Sequence, residues 1–178
     1  WLLKSAPSIS PADSGGENIF LDHNEGRIYR IKPRFNAEVN KWWICDEGRF
    51  CFKFIDDASR LTAPLRTENG DAVQTGWVSA LGFAAERMRS AAASPDRDLA
   101  VLVSAQATNE ELFLLKKVFD ERLPGWRPAF STDGPFEPTE DDLLRRADKN
   151  PNTAGVQLLG LDGGNSMSLE ELKKAALE

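Results

Sequence analysis

The sequence predicts an α/β chain, α+β overall, in which a small N-terminal β domain precedes a partial, helix-layered, largely parallel sheet. Three observations lead there. Residues 19–31 alternate in character about a turn, residues 77–122 read as helix, strand and helix in succession, and a polar, turn-rich stretch at 56–76 lies between them. The expected division is into units 1–58 and 59–178.

Taken in order, residues 5–18 are rich in Ser, Pro, Gly and Asp, carry little to bury and read as a loop. Ile19-Phe20-Leu21, the turn at His23-Asn24-Glu25-Gly26 and the run from Arg27 to Ile31 form the pattern of a β-hairpin, which Pro33 ends. The aromatic-dense stretch 41–55, containing Trp42, Trp43, Cys45 and Cys51, is expected to be a buried loop or short helix. Within the connecting segment, Asn69-Gly70 marks a tight turn.

Val78, Leu81, Ala85 and Met88 recur at three- and four-residue spacing, which predicts a helix over 77–91 with one apolar face. Leu99-Ala100-Val101-Leu102-Val103 has the continuous apolar character of a central parallel strand covered on both faces. Thr108 and Glu111 are spaced as a capping box, so a helix is expected from Asn109 to Arg122. Residues 125–138 read as loop, 139–146 as a short acidic-to-basic helical turn, 148–153 as a polar loop, and 168–177 as a closing helix capped by Ser168 with Glu171 at the box position.

Composition narrows the function. With 41% hydrophobic and 28% charged residues among 178, the chain can build a core and is not broadly disordered. A net charge of -6 and a pI near 5.0 oppose a generic nucleic-acid surface, which needs clustered Lys and Arg. No apolar run reaches the roughly 18 residues that cross a bilayer, so no direct membrane insertion is expected, and a cytoplasmic location follows. Two cysteines alone, Cys45 and Cys51, make neither a disulfide framework nor a metal motif.

Ordinary catalytic constellations are missing. The single histidine, His23, falls in the hairpin turn with no Ser or Cys nucleophile beside it, which disfavours Ser-His-Asp chemistry. Asp141, Asp142 and Asp148 read as solvated loop carboxylates. The stretch 160–171 fails as a calcium loop, because Gly160 would stand at its first ligand position and Asn165 at its glycine. Ser104 to Thr108 lies where phosphates rest on α/β folds but has no glycine for close backbone approach. No catalytic or metal-binding residue is expected.

Several segments, in order, carry a resemblance. They are the run from Gly26 to Asn36, Val39-Asn40, and Trp43-Ile44-Cys45-Asp46-Glu47-Gly48-Arg49-Phe50. They continue with Arg60-Leu61-Thr62-Ala63-Pro64-Leu65, the helix after Trp77, Ser104 to Glu111, and Ala147-Asp148-Lys149-Asn150-Pro151-Asn152-Thr153. Together they resemble the G-type large subunit of bacterial NADH:quinone oxidoreductase, a member of the molybdopterin oxidoreductase superfamily. The resemblance implies a [4Fe-4S]-type domain over 1–58 and part of a molybdopterin-type α/β domain over 59–178. It also implies an electron-transfer role, other subunits of a respiratory complex as partners, and a place peripheral to the inner membrane.

In the family, three cysteines near the start and a fourth in the Cys-Asp-Glu-Gly-Arg segment hold the cluster. The resemblance puts Ser10, Asp13 and Glu17 at the first three positions and leaves Cys45 as the vestigial ligand. Clusters need thiolate sulfur, so no cofactor is expected in this chain, and the segment is expected to act as a scaffold. A family member would continue past residue 178, so the α/β part is expected to be a fragment with an uncovered sheet and a tendency to self-associate. Two alternatives stay open: a formate dehydrogenase-like enzyme with working molybdopterin and [4Fe-4S] cofactors, and a non-respiratory interaction module that reuses the fold.

Overall fold

The hairpin of residues 19–31 is the centre of the N-terminal half. In the computed structural model, which describes residues 2–94, 99–131, 137–162, 170 and 172–174, β2 (Asn18–Asn24) pairs antiparallel with β3 (Arg27–Pro33). The two residues between them, Glu25 and Gly26, both have positive φ, 48° and 79°. That backbone twists with the strands, and glycine adopts it without a Cβ penalty. A third strand was not expected: β1 (Lys4–Ile9) pairs antiparallel with the other side of β2. Its prolines and serines read as loop, but β1 is an edge strand, and Pro7 opposite Phe20 is tolerated there. His23 sits at the end of β2, beside a register shift at Asp22/His23, rather than in the turn itself.

Asp22 ties the sheet together through charge. It is buried, accepts from the Ser5 hydroxyl on β1, and pairs with Arg30 Nε and Lys32 Nζ on β3 at 2.5 and 3.0 Å. Burial alone would raise its pKa, but the Ser5 hydroxyl, Arg30 and Lys32 more than reverse this and hold it at about 2. Beneath the sheet, Ile19, Ile31 and Ile44 form the N-terminal core, with Leu21, Cys51 and Phe52 against it.

The aromatic stretch folds as a short helix, α1 (Asp46–Phe50), followed by a 3-10 turn (Cys51–Asp56). Ile44 and Cys45 are buried as expected, but Trp42 and Trp43 are 67% and 69% exposed. Their stretch is set by the polar anchor Asn40, which donates to the carbonyls of Asn18, Arg34 and Trp43, leaving the indoles outside.

The connecting segment holds a further hairpin, β4 (Leu65–Glu68) with β5 (Asp71–Gln74), and the turn expected at Asn69-Gly70 has φ of 52° and 93°. Next, α2 (Trp77–Ala92) matches the expected helix, yet none of its residues is buried and Val78 is 90% exposed. Beyond it, β6 (Ala100–Val103) pairs in parallel with β7 (Arg127–Phe130), a strand that the loop-like composition of 125–138 hid. Among the described residues β6 has this one neighbour, with Val103 buried and Leu102 half-exposed, so it is neither central nor covered on both faces.

Between these strands runs α3 (Asn109–Arg122), opened by the expected capping box, in which Thr108 Oγ1 accepts from the Glu111 amide and Glu111 accepts from the Thr108 amide. A short α4 (Thr153–Leu158) packs beside it, and Val103, Ala105, Leu112, Val156 and Leu161 form a second core. The fold is thus α+β, with antiparallel sheet at the N-terminal end and a parallel pair layered by helices towards the C-terminal end. The helical turn expected at 139–146 is instead irregular chain. There Asp141 Oδ1 accepts from the amides of Leu143, Leu144 and Arg145, and these bonds hold its pKa below the ordinary carboxylate range. The closing helix expected over 168–177 and the excluded calcium spacing at 160–171 fall largely outside the described residues. No described helix is long and apolar enough to cross a membrane.

Candidate functional site

Four polar residues from distant parts of the N-terminal half meet at one end of the three-stranded sheet. Ser10 follows β1, Asp13 lies in the turn after it, Glu17 directly precedes β2, and Cys45 caps α1; all four are buried. The turn is closed by Ser10, whose amide donates to the Glu17 carbonyl at 2.8 Å. Asp13 Oδ1 accepts from the Gly15 amide at 2.8 Å, and Asp13 Oδ2 accepts from the Arg146 amide at 3.0 Å.

Glu17 and Cys45 are joined directly. Glu17 Oε1 accepts from the Cys45 amide at 3.0 Å, and Glu17 Oε2 receives the Cys45 thiol at 3.4 Å. The sulfur in turn accepts from the Gly48 amide at 3.3 Å, which makes Cys45 the N-cap of α1. Burial, the largest cause, pushes the Glu17 pKa up despite the bonds from Cys45, and Asp13 adds to the rise. Burial, followed by the Glu17 and Asp13 charges, drives the Cys45 thiol up to about 12 against the pull of the Gly48 amide. Burial thus keeps the Cys45 thiol less ionised than an ordinary cysteine, which slows its reaction as a nucleophile.

Gly48 has no room for a side chain. A Cβ there would lie 2.8 Å from Ser10 Oγ, 2.9 Å from Glu17 Oε2 and 3.2 Å from Ile44 Cγ1. The glycine thus lets the helix backbone lie directly on the polar cluster.

One wall of the site comes from far along the chain. Arg145 and Lys149 both reach Glu47, with Arg145 Nη2 2.6 Å from Oε1 and Lys149 Nζ 3.0 Å from Oε2. The Lys149 side chain is 1% exposed. Ligand atoms of Asp13, Cys45 and Glu47 lie within 4.8 Å of one another, close enough to share a cation. The Glu47 carboxylate already pairs with two cations, Arg145 and Lys149. Beside these groups, a cleft of about 340 Å3 is lined by Cys45, Glu47, Asp141, Leu144 and Arg145 among others.

Glu47, Gly48, Arg145 and Lys149 were not singled out from the sequence. Glu47 and Lys149 do sit in the Cys45-Asp46-Glu47-Gly48-Arg49 and Asp148-Lys149-Asn150 segments that carry the resemblance, which was the one available signal. His23 and Asp142 take no part, while Asp148 enters through its carbonyl, which accepts from the Ser14 amide at 2.9 Å.

The residues that build the three-stranded sheet and the capped helix match an iron-sulfur-type segment of oxidoreductase subunits. More particularly, residues 3–53 match the family model described as NADH-ubiquinone oxidoreductase NDSU1/NuoG-like, 4Fe-4S domain. The chain is 32% identical over 121 residues to the G-type subunit of the NADH-quinone oxidoreductase of Rickettsia conorii, a match that covers 68% of this chain and 17% of that protein. It is 31% identical over 157 residues to the NADH-ubiquinone oxidoreductase 75 kDa subunit of Reclinomonas americana, covering 85% and 22%. An F420-dependent formate dehydrogenase 2 subunit alpha of Methanococcus maripaludis is 32% identical over 115 residues, covering 65% and 17%. The resemblance to the NuoG-like family is thereby shown, and the chain spans about a fifth or less of the length of these curated relatives.

Proposed function

We propose that this segment serves in a respiratory NADH:quinone oxidoreductase as part of a NuoG-like subunit, acting as structural scaffold of the electron-transfer arm without a cluster of its own. Residues 1–58 are the degenerate [4Fe-4S]-type domain and 59–178 the partial molybdopterin-type domain. Its partners are other subunits of the complex, which hold it peripheral to the inner membrane.

The observation that carries this reading is the Glu17–Cys45 contact. A [4Fe-4S] cluster is bound by four thiolates. Ser10, Asp13, Glu17 and Cys45 offer one thiol and three oxygen-bearing side chains, and two of the four already bond to each other. That donor set does not fit the cluster. The bonds that replace it are internal, so the domain is expected to fold without iron.

The test is the iron and acid-labile sulfide content of the full chain after anaerobic reconstitution, with a visible spectrum. A colourless protein with well under one iron per chain is the expected result. About four irons per chain with a broad brown absorption would overturn the loss of the cluster and restore an electron-relay role. The scaffold role is tested separately by co-purification with the remaining subunits of the complex, and failure to co-purify would favour the free-standing module.

A further inference from the structure

We propose that residues 139–150 form a strap that closes the Cys45 cleft and opens as a unit, with Glu47 as its latch. The strap has no regular secondary structure. It is held instead by a few bonds to the N-terminal half: Arg146 N to Asp13 Oδ2, Ser14 N to Asp148 O, and the two cations on Glu47. No residue of the strap belongs to either hydrophobic core, and Leu143 is exposed. Segments with few buried apolar contacts open before the cores beside them.

The strap is compact near its start and tethered at its end, so it moves as a piece. Near its start, Asp141 Oδ1 gathers the amides of Leu143, Leu144 and Arg145 and makes a compact turn. At its end, the Lys149 carbonyl accepts from Gln106 Nε2, and the Asn152 amide donates to the Ala105 carbonyl, which anchors the strap to the loop between β6 and α3. The anchor stays with the second core while the Glu47 contacts release. Glu47 is the common point because Lys149 is buried and that carboxylate is its ion-pair partner. Neutralising Glu47 leaves a buried ammonium without a counter-charge, which favours the open form, where the ammonium reaches water.

Cys45 forms part of the cleft wall and reports on opening. Trypsin separates it from Cys51, since Lys41, Arg49 and Lys53 bracket the peptides 42–49 and 50–53. Alkylation by a small maleimide, followed by mass spectrometry of these peptides, is expected to proceed about tenfold faster or more at Cys45 in Glu47→Gln than in the parent chain, with Cys51 changing by less than about twofold. Equal acceleration at both cysteines, or none at Cys45, would overturn the proposal.

Amide hydrogen exchange on the unmodified chain gives an arm that needs no variant and is blind to thiol charge. The Ser14 and Arg146 amides, which cross the strap contact, are expected to exchange at matching rates, about tenfold or more faster than the paired amides of β2. Exchange of Ser14 and Arg146 in step with β2 would show that the strap does not open by itself.

Discussion

The Glu17 carboxylate receives both the backbone amide and the thiol of Cys45, at 3.0 and 3.4 Å, so one side chain satisfies the residue that caps α1. The bond therefore supports a helix as well as filling a polar pocket. Replacing Glu17 by Ala leaves the buried Cys45 amide without its acceptor and is expected to lower stability by roughly 1–3 kcal/mol. Gln keeps one acceptor oxygen and should lose less. Urea midpoints of the two variants at neutral pH check the order; a Gln variant as weak as Ala would show that the bond contributes little.

Glu17 also sets the sign of a pH dependence. Its folded pKa lies above the ordinary 4.5, so the native state holds the proton more tightly than the unfolded chain. That contribution is fully present below 4.5 and is lost as pH rises through the raised value. Stability is thus expected to decline with rising pH from that region, and Glu17→Gln should flatten the decline. Cys45 adds a second decline between its ordinary 9.0 and about 12, which Cys45→Ser should reduce.

Asp22 acts in the opposite sense. Held at about 2 against an ordinary 3.8, it contributes stability above 3.8 that is lost as pH falls towards 2. Asp22→Asn is expected to lose roughly 1–3 kcal/mol at neutral pH, since it weakens a buried bond network whose Lys32 and Arg30 partners reach solvent. The steep acid limb of the unfolding curve should shrink with it. An unchanged acid limb would move the origin of acid sensitivity elsewhere.

Gly48→Ala tests how closely the polar cluster is packed. The new methyl would press on Ser10 Oγ and Glu17 Oε2, and overpacking of this kind costs roughly 1–3 kcal/mol. Adding Ser10→Gly removes one of the two close neighbours and should recover part of the loss. A double-mutant cycle with no coupling between the two changes would place the strain outside the pocket.

Much of the fold was legible where the signal is local. The Glu25-Gly26 and Asn69-Gly70 turns, the span of α2 and the Thr108 box all depend on neighbours within four residues. The hairpin flanking Asn69-Gly70 escaped because Arg66, Glu68 and Asp71 give its exposed strands no apolar alternation. Pro7 and Pro128 disguised β1 and β7, since proline in a strand signals an edge rather than forbidding the strand. Trp42 and Trp43 were expected inside because their stretch is aromatic-dense, but their exposure is set by the anchor Asn40, which no apolar pattern marks.

The candidate site was half legible. Ser10, Asp13, Glu17 and Cys45 could be named because the resemblance supplies a spacing for them. Glu47 and Lys149 lie 102 positions apart, and nothing within either stretch says that a buried lysine will face that carboxylate. Pairing over such distances is a property of the packed chain.

The distance has a consequence for how the chain is made. The Asp13–Arg146 bond joins residues 133 positions apart, whereas β2 and β3 are joined by a two-residue turn. On the ribosome, the sheet and α1 can be complete while the wall of the cleft has yet to be synthesised. At ordinary elongation rates the interval between Phe50 and Lys149 is roughly 5–20 seconds. For that time Glu47 and Asp13 face water without their later partners, and the nascent chain carries an acidic, open pocket that the finished one does not.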